Sequence, residues 1–403
     1  MKYRVVPVDQ SFDLNDVCKG DGFLFVRNNT GHAARGIVAL ANDRDISDLL
    51  SSLQQAEDSL EKAPLAFGLV PFLPSSPSTF FLPHATFSVH DDGSRTLTLI
   101  GATDDDINDN AVSSVLSSAL QPITATPSAG SYSVKPATPI DTYLAAVTAA
   151  RDAVRRGDIQ KAVIARDIDV TSDTPFNIHG VLLRLRSSFG SSYRFCVGNM
   201  IGASPELLIQ VDGRIVRSHP LAGTAPRTGD PDTDARLAAE LIASTKNQIE
   251  HRVVIDMVHD TLLPHCSYLD WEAEPSIVTV ANVQHLGTAI EGALAEPVPN
   301  VLQLVRALCP TPALGGSPSK EAIDLITRHE GFNRGNYGGA VGWVDADGNG
   351  TFAVTIRCAE LSDNRMHARL FAGGGIVAES EPLAELAETQ AKFQAMLSAL
   401  IRP

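Results

Sequence analysis

The chain has 403 residues, of which 44% are hydrophobic and 20% are charged, so a sizeable core is expected and wholesale disorder is excluded. Its 47 acidic and 32 basic residues give a net charge of −15, which disfavours binding to nucleic acid or to an anionic membrane surface. The five cysteines are scattered, the N-terminus has no apolar run, and no 18-residue apolar stretch occurs; together these features favour a cytoplasmic protein.

Short strands with polar connections dominate the first part of the chain. Strands are predicted at residues 22–27, 36–40, 66–70, 85–90 and 96–100, and helices at 46–62 and 110–120. Residues 121–139 are rich in Pro, Ser, Thr and Ala, so this stretch is the best candidate for an internal boundary or a crossover connection.

Stronger periodic signals follow this stretch. Helices are predicted at 140–156, 234–263 and 383–400, and strands at 161–170, 193–197, 206–211, 214–218, 338–344, 350–357 and 366–371. Series of strands separated by a few long helices favour an α+β fold with antiparallel sheets over a regular βαβ array.

Several motifs of known chemistry are absent or incomplete. The sequence has no Gly-x-Gly-x-x-Gly, no phosphate loop and no His-Glu-x-x-His. Residues 202–206 begin like a serine hydrolase elbow, but Glu206 replaces the second glycine and Pro205 disfavours the turn. Residues 345–350 imitate a calcium loop, yet Ile356 stands where a glutamate is needed, so a hairpin turn is predicted there.

Carboxylates on two predicted helices are the first candidates for a functional site. Glu250 lies on one helix, and Glu385, Glu388 and Lys392 share one face of the last helix. Carboxylates from separate helices suit a hard ion such as Mg²⁺. A surface ion pair between Glu388 and Lys392 is the alternative, and the spacing alone leaves both open.

Two glycine-containing segments, 220–225 and 372–376, each follow a predicted strand. They are either nests of backbone N–H groups that bind an anion or simple tight turns. Arg357, at a predicted strand end, either binds a carboxylate or lies on the surface. Lys161 shares a strand face with apolar residues; it is either a desolvated general base or an exposed strand residue.

Taken together, these segments resemble the chorismate-utilising enzymes, and among them the isochorismate synthases. The matching blocks are KAVIAR at 161–166, IGASPELL at 201–208, HPLAGTAPR at 219–227, EH at 250–251, VQHLGT at 283–288, PTPALGG at 310–316, GGAVGW at 338–343, TIRCA at 355–359, FAGGGIV at 371–377 and ET at 388–389. They occur in the order found in the family and extend over residues 140–400. Residues 1–130 resemble the variable N-terminal part of the family.

The resemblance implies one large α+β domain in which antiparallel sheets form a layered sandwich with flanking helices and the active site lies in a central cleft. Residues 1–130 would be the variable part of that fold and residues 131–403 the chorismate-binding catalytic region. The resemblance also implies that Lys161 activates water for attack at C2 of chorismate and that Glu206 protonates the departing C4 hydroxyl. Such chemistry needs a neutral amine and a protonated carboxyl at neutral pH.

The remaining roles concern binding of the dianionic substrate. The resemblance assigns Mg²⁺ to Glu250 and Glu388, with Glu385 in the outer part of the site. The residues that it places around the substrate are Gly223, Thr224, His285, Ala313, Leu314, Arg357, Gly374 and Lys392. Asn247 departs from the family pattern, because many relatives carry an acidic residue at that position.

Two positions favour one member of the family over its relatives. Lys161 matches the enzymes that use water rather than ammonia, so no glutaminase subunit is expected. Ala313 and Leu314 match the isochorismate synthases, whereas salicylate synthases typically carry Thr in place of Ala313. The resemblance therefore implies a monomeric, Mg²⁺-dependent isochorismate synthase that could supply siderophore, menaquinone or salicylate synthesis. A salicylate synthase and a non-catalytic chorismate-binding module are the alternatives.

Overall fold

The computed structural model describes residues 1–121, 123, 130–280 and 283–402. Its helices are α1 (Leu14–Cys18), α2 (Ile46–Ser51), α3 (Asp109–Ala119), α4 (Ile140–Arg156), α5 (Ile178–Phe189), α6 (Pro231–Ala243), α7 (Thr245–Leu262), α8 (Val301–Leu308), α9 (Ser319–His329) and α10 (Pro382–Ile401). Short 3-10 turns lie at Asp104–Asp106 and Leu263–His265. None of the helices within these described ranges is both long enough and apolar enough to cross a membrane.

The strands are short and numerous. They are β1 (Lys2–Pro7), β2 (Phe23–Arg27), β3 (Thr30–Arg35), β4 (Ala39–Ala41), β5 (Gln54–Gln55), β6 (Leu65–Val70), β7 (Thr79–Leu82), β8 (Ala85–Val89), β9 (Arg95–Gly101), β10 (Tyr132–Pro136), β11 (Lys161–Ser172), β12 (Tyr193–Val197), β13 (Met200–Ser204), β14 (Leu207–Asp212), β15 (Ile215–His219), β16 (Leu221–Pro226), β17 (Cys266–Trp271), β18 (Ser276–Val280), β19 (Val283–Gly287), β20 (Ile290–Leu294), β21 (Gly316–Ser317), β22 (Ala340–Asp345), β23 (Gly350–Val354), β24 (Cys358–Leu361) and β25 (His367–Ile376).

These strands form three sheets. The large sheet has the order β10-β11-β25-β24-β13-β12-β2-β3-β8-β9-β1-β5, with β21 paired to β11. The middle sheet has the order β17-β20-β15-β14-β23-β22-β6-β7-β4, and the small sheet the order β16-β19-β18. The described pairings are antiparallel except that of β1 with β5. The predicted α+β class with antiparallel sheets is therefore confirmed.

The large and middle sheets pack face to face through an apolar core. Phe25 and Phe195 of the large sheet meet Phe67 and Val341 of the middle sheet there. Helices α1, α5 and α10 cover the outer face of the large sheet, and α2, α7 and α8 that of the middle sheet. Since each sheet is apolar on both faces, it has to be covered on both sides, which gives the predicted layered sandwich.

Two connections cross from one sheet to the other and position the site. The first leads from β13 to β14 through Glu206, and the second leads from β23 to β24 through Arg357. Each crossing residue accepts a backbone hydrogen bond from a strand next to the other crossing. Val354 N–H donates to the Glu206 carbonyl at 3.1 Å, and Ala203 N–H donates to the Arg357 carbonyl at 3.1 Å. The side chains of both crossing residues are thereby held at the seam between the sheets.

Several predicted elements differ from the structure. The helix predicted at 46–62 ends at Ser51, because Gln54–Gln55 pairs with the N-terminal strand β1. The helix predicted at 234–263 is broken at Ser244, whose side chain accepts a hydrogen bond from the N–H of Asn247 and so starts α7. The strand predicted at 36–40 lies instead at Ala39–Ala41.

The proposed internal boundary falls partly outside the described residues, since 122 and 124–129 are not among them. Its last part, Tyr132–Pro136, is a strand of the large sheet paired with β11. Strands from both sides of residue 130 share the large sheet, and the same holds for the middle sheet. The division into a variable part and a catalytic part remains a prediction.

Candidate active site

A cavity of about 270 Å³ lies where the three sheets meet α7 and α10. Its walls contain all but one of the residues that the sequence predicted to form the site: Lys161, Glu206, Gly223, Thr224, Glu250, His285, Ala313, Leu314, Arg357, Glu385, Glu388 and Lys392. The exception, Gly374, lies between Gly373 and Gly375, which both line the cavity.

Lys161 is the first residue of β11, and its side chain points into the cavity. The residue is only 5% exposed, so the alternative of an exposed strand lysine is wrong. Its Nζ donates a hydrogen bond to Glu250 Oε1 at 2.6 Å. Because α7 presents this carboxylate to the end of β11, the base candidate and one predicted metal ligand are direct neighbours.

Glu206 follows the last residues of β13 and is 3% exposed. Burial raises the pKa of its carboxyl to about 8, even though the N–H of Leu221 and the positive charges of Lys161 and Arg357 act in the opposite direction. At neutral pH this side chain is therefore mostly protonated. A buried carboxyl that keeps its proton can deliver it to a leaving group, as a general acid must.

Three carboxylates lie beside two consecutive glycines of β25. A Cβ atom on Gly374 would be 2.8 Å from Glu385 Oε2 and 3.9 Å from Glu388 Oε1. A Cβ atom on Gly375 would be 3.0 Å from Glu250 Oε1. The glycines leave room for these side chains, and α7 and α10 bring the three predicted metal ligands to the wall of one cavity.

Each of these carboxylates has a local partner. Lys392 binds Glu388 at 2.7 Å, and Ser380 donates to Glu385 at 2.8 Å. Burial alone would raise the pKa of Glu388, but the ion pair with Lys392 holds it below its ordinary value. Burial, together with the charge of Glu388, raises the pKa of Glu385.

The donor set is chemically suited to Mg²⁺, since carboxylate oxygens are its preferred protein ligands and their mutual repulsion favours a cation between them. As the side chains stand, however, the described part of the chain contains no group of three acidic, His or Cys residues close enough together to hold an ion. Glu388 and Lys392 do form the ion pair that was the alternative to a metal site. This ion pair lies in the wall of the cavity and not on an outer surface.

The two glycine-containing segments are strands and not tight turns. Residues 372–376 continue β25, and their backbone pairs with β11 from Arg166 to Ala162. Residues 221–226 form β16, in which Gly223 has a φ of 74° where the pairing with β19 shifts by one residue. This bulge turns the following Thr224 toward the cavity, so glycine is needed there for its backbone conformation.

His285 connects the small sheet to Arg357. Its Nδ1 lies 3.1 Å from the Gly223 carbonyl and 3.2 Å from the Thr224 hydroxyl, and its Nε2 lies 3.2 Å from an Arg357 nitrogen. Burial lowers the pKa of His285 to about 3, so the ring is neutral. The carbonyl fixes the proton on Nδ1, which leaves Nε2 to accept from the guanidinium.

Arg357 is a cation without a carboxylate partner among the residues that the structure describes. Its Nε is buried and makes no hydrogen bond, and its backbone has a φ of 52°, which is unusual for a side chain of this size. Burial lowers the pKa of Arg357, so its charge is costly in the absence of an anion. A surface arginine is therefore the wrong interpretation, and a carboxylate bound in the cavity is the partner that this guanidinium lacks.

Lys246 and Tyr337 are among the lining residues that were not predicted from the sequence. Lys246 is exposed in the first turn of α7, four residues before Glu250 and therefore on the same helix face; this spacing was the signal that could have revealed it. Tyr337 is buried and stacks on Phe371 with ring centroids 5.0 Å apart, and no local sequence pattern indicated it.

Comparisons with known proteins identify the family of this chain. A family model described as chorismate binding enzyme matches residues 41–401. The candidate isochorismate synthase MenF of Mycobacterium tuberculosis H37Rv is 44% identical over 271 residues, which are 64% of this chain and 73% of that protein. The vibriobactin-specific isochorismate synthase of Vibrio cholerae serotype O1 is 33% identical over 352 residues, 86% of this chain and 82% of that protein.

A solved structure extends the similarity to almost the whole fold. The crystal structure of the candidate 2,3-dihydroxybenzoate-specific isochorismate synthase DhbC from Bacillus anthracis superposes with a TM-score of 0.80 at 31% identity. The match covers 96% of this chain and 98% of that chain. Together with the site and the family model, this match means that the chain belongs to the chorismate binding enzyme family.

Proposed function

We propose that this protein is an isochorismate synthase, which converts chorismate to isochorismate reversibly. One observation carries the proposal: a carboxyl whose pKa is raised to about 8 and a buried lysine line the same small cavity. Glu206 can supply a proton, and the Lys161 amine is placed to accept one when it is in its uncharged form. Relatives at 33% to 44% identity carry this activity in their names.

The reaction exchanges one oxygen for another without any change of oxidation state. Lys161, as the neutral amine, takes a proton from a water molecule whose oxygen bonds to C2 of the ring. Both ring double bonds shift by one position, so that the electron pair next to C4 breaks the C4–O bond, and Glu206 gives its proton to the departing hydroxyl, which leaves as water. General acid–base catalysis of this kind is worth roughly 10²–10⁴ in rate for each group.

The remaining cavity residues suit a substrate with two carboxylates. Arg357 offers a guanidinium with an unsatisfied Nε, and neutral His285 orients it. Lys392 adds a second cation next to the β25 backbone, where its Nζ donates to the Gly373 carbonyl at 2.7 Å. These charges oppose the acidic average of the chain, whose net charge is −15.

We further propose that the enzyme depends on Mg²⁺ held by Glu250 and Glu388, with Glu385 in support. When bound, the ion would supply positive charge for a substrate carboxylate. The chain's own residues keep the site ready for it: Lys161, Lys392 and Ser380 neutralise or hydrogen-bond these carboxylates.

The direct test is incubation of the purified protein with chorismate and Mg²⁺, followed by chromatography of the products. We expect isochorismate in equilibrium with chorismate, and loss of conversion when EDTA removes the metal. Salicylate with an equal amount of pyruvate would instead identify a salicylate synthase. Binding without turnover, seen as a raised melting temperature in the presence of chorismate and Mg²⁺, would identify a non-catalytic binding module.

Use of water as the nucleophile also leads us to propose that no glutaminase subunit is required and that the protein works as a monomer. Added ammonium should yield no anthranilate. Size-exclusion chromatography with light scattering should give a mass near 42.9 kDa. Formation of anthranilate would contradict the role of Lys161, whereas a larger mass would contradict only the monomer.

A further inference from the structure

One edge of β11 lacks a neighbouring strand beside the active site. On this edge β11 pairs with β21 at Lys161–Ala162 and with β10 from Ile168 onward. Among the described residues, no strand pairs with this edge at residues 163–167. Val163 and Ala165 are nevertheless buried, and buried backbone groups need hydrogen-bond partners.

A buried ion pair occupies the gap. Glu330 Oε1 accepts a hydrogen bond from the N–H of Ala165 at 2.7 Å. Arg334 Nη2 donates to the Val163 carbonyl at 2.7 Å. Glu330 and Arg334 are 2% and 3% exposed, and they are bound to each other, with Arg334 Nε 2.8 Å from Glu330 Oε2. Two side chains thus provide the donor and the acceptor that a strand would have provided.

The same arginine also holds the loop that forms the facing wall of the cavity. Arg334 Nη1 donates to the Leu314 carbonyl at 2.8 Å, and the N–H of Val163 donates to the neighbouring Gly315 carbonyl at 2.9 Å. The Arg334 carbonyl accepts from the N–H of Tyr337 at 3.0 Å. The guanidinium lies 4.2 Å above the ring of Phe72, which fixes its plane.

Three parts of the cavity wall therefore meet at one guanidinium: the strand that begins with Lys161, the loop that contains Leu314, and Tyr337. A planar group with five N–H donors can bind two carbonyls and a carboxylate at once, whereas a lysine ammonium cannot reproduce that fixed fork. The ion pair does not itself line the cavity.

We propose that Glu330 and Arg334 are positioning residues for the proposed isochorismate synthase reaction. They replace a missing strand on β11 and hold Lys161 and the Leu314 loop at a fixed separation. The inference rests on the proposed function, because its readout is the conversion of chorismate. Neither residue is expected to touch the substrate.

The experiment compares Arg334→Lys with wild-type protein and with a matched control, Arg369→Lys. Arg369 also binds a buried carboxylate on β11, that of Asp167, with its Nε 2.7 Å from Oδ2, but it lies outside the cavity wall. We expect both variants to melt at a lower temperature. Only Arg334→Lys should change the kinetics at 25 °C, with kcat at least tenfold lower and KM at least threefold higher.

Glu330→Gln is the second variant, in case Arg334→Lys does not fold. It can still accept from Ala165 N–H but loses the charge that orients Arg334, so we expect a kcat at least threefold lower at unchanged circular dichroism. A folded Arg334→Lys or Glu330→Gln with kcat and KM within twofold of wild type would overturn the inference. So would equal kinetic losses in Arg369→Lys. A wild-type protein that does not convert chorismate would instead overturn the proposed function, and the inference with it.

Discussion

Burial gives Glu206 a protonation state that a glutamate would not have in water. The carboxyl lies at the seam of the two sheets, where its pKa of about 8 reflects loss of solvent more than any charged neighbour. Lys161, by contrast, is placed by its strand and by its contact with Glu250. The protonation state of Glu206 therefore depends on the exclusion of water, whereas the position of Lys161 depends on its contact with Glu250.

The first residue-level prediction concerns catalysis. Glu206→Gln keeps the shape of the side chain but cannot supply a proton, so the rate of chorismate conversion should fall by roughly 10²–10⁴. In wild-type protein kcat should fall as the pH rises through 8, because the carboxyl then loses its proton. Steady-state assays from pH 6.5 to 9.5 would measure both effects. If the rate fell less than tenfold, Glu206 would be a polar residue in the cavity wall and not the general acid.

The same substitution has a consequence for stability. The folded protein keeps a proton on Glu206 that the unfolded chain releases above a pH of about 4.5, so the contribution of this group to stability declines between pH 4.5 and 8. Glu206→Gln removes that dependence. Its melting temperature, relative to wild type, should be higher at pH 9 than at pH 5. Equal differences at both pH values would contradict the raised pKa.

Most of the site was predicted from the residues found in short motifs that occur in the order known for the family. Lys161, Glu206 and Glu250 were named from short blocks, and the structure brings them to one cavity. The blocks could not show that Lys161 and Glu250 are directly paired, because this contact joins residues 89 positions apart. Tyr337 was missed for a similar reason, since its position depends on packing and not on a local pattern.

At the level of elements, β25 shows why glycine occurs three times in succession. Its strand pairing with β11 is continuous through Gly373, Gly374 and Gly375. What the glycines provide is space on the cavity side, where carboxylates from α7 and α10 approach the backbone. By composition alone, consecutive glycines favour a turn. The reason for a glycine strand becomes visible only when the helices packed beside it are known.

We therefore predict that Gly375→Ala inactivates the enzyme without unfolding it. The new Cβ would lie 2.7 Å from Lys161 Cε and 3.0 Å from Glu250 Oε1, so both side chains have to move. We expect conversion of chorismate to fall at least tenfold with circular dichroism unchanged. Gly315→Ala is the control, since its nearest contact would be an ordinary 3.5 Å. Wild-type activity in Gly375→Ala, or an equal loss in the control, would contradict this account.

The predicted ends of helices were wrong where contacts with distant residues determine them. The apolar spacing of residues 46–62 suits a helix, but pairing of Gln54 with Lys2 draws the chain into a strand. The stretch 234–263 also has helical spacing, and the cap at Ser244 divides it into two helices. The α+β class could be predicted from the series of strands and helices, and the layered arrangement from the family resemblance. The exact ends of these elements depend on contacts with residues far along the chain.

At the level of the whole molecule, the sandwich encloses neutral histidines. His32 lies between the sheets, 4.7 Å from the ring of Trp343, with its Nδ1 2.8 Å from the Ser88 hydroxyl. Burial lowers the pKa of His32 to about 3 and that of His251 to about 4. Unfolding lets these rings take up protons below a pH of about 6.5.

We predict that the protein loses stability on acidification. Each such histidine costs about 1.4 kcal/mol per pH unit as the pH falls from 6.5 toward its folded pKa. His32→Gln removes one titrating group, so its melting temperature should fall less steeply than that of wild type between pH 6.5 and 4.5. Thermal melts by circular dichroism at four pH values would show the difference, and parallel curves would contradict it.

The crossings at Glu206 and Arg357 make the active site depend on both sheets being in place. Lys161 belongs to the large sheet, and His285 belongs to the small sheet. Glu206 and Arg357 lie in the connections between the large and middle sheets. No single sheet therefore contains the acid–base pair together with the proposed anion receptor. Turnover should therefore return during refolding only in the last kinetic phase, after docking of the layers is complete, and partly assembled intermediates should leave chorismate untouched.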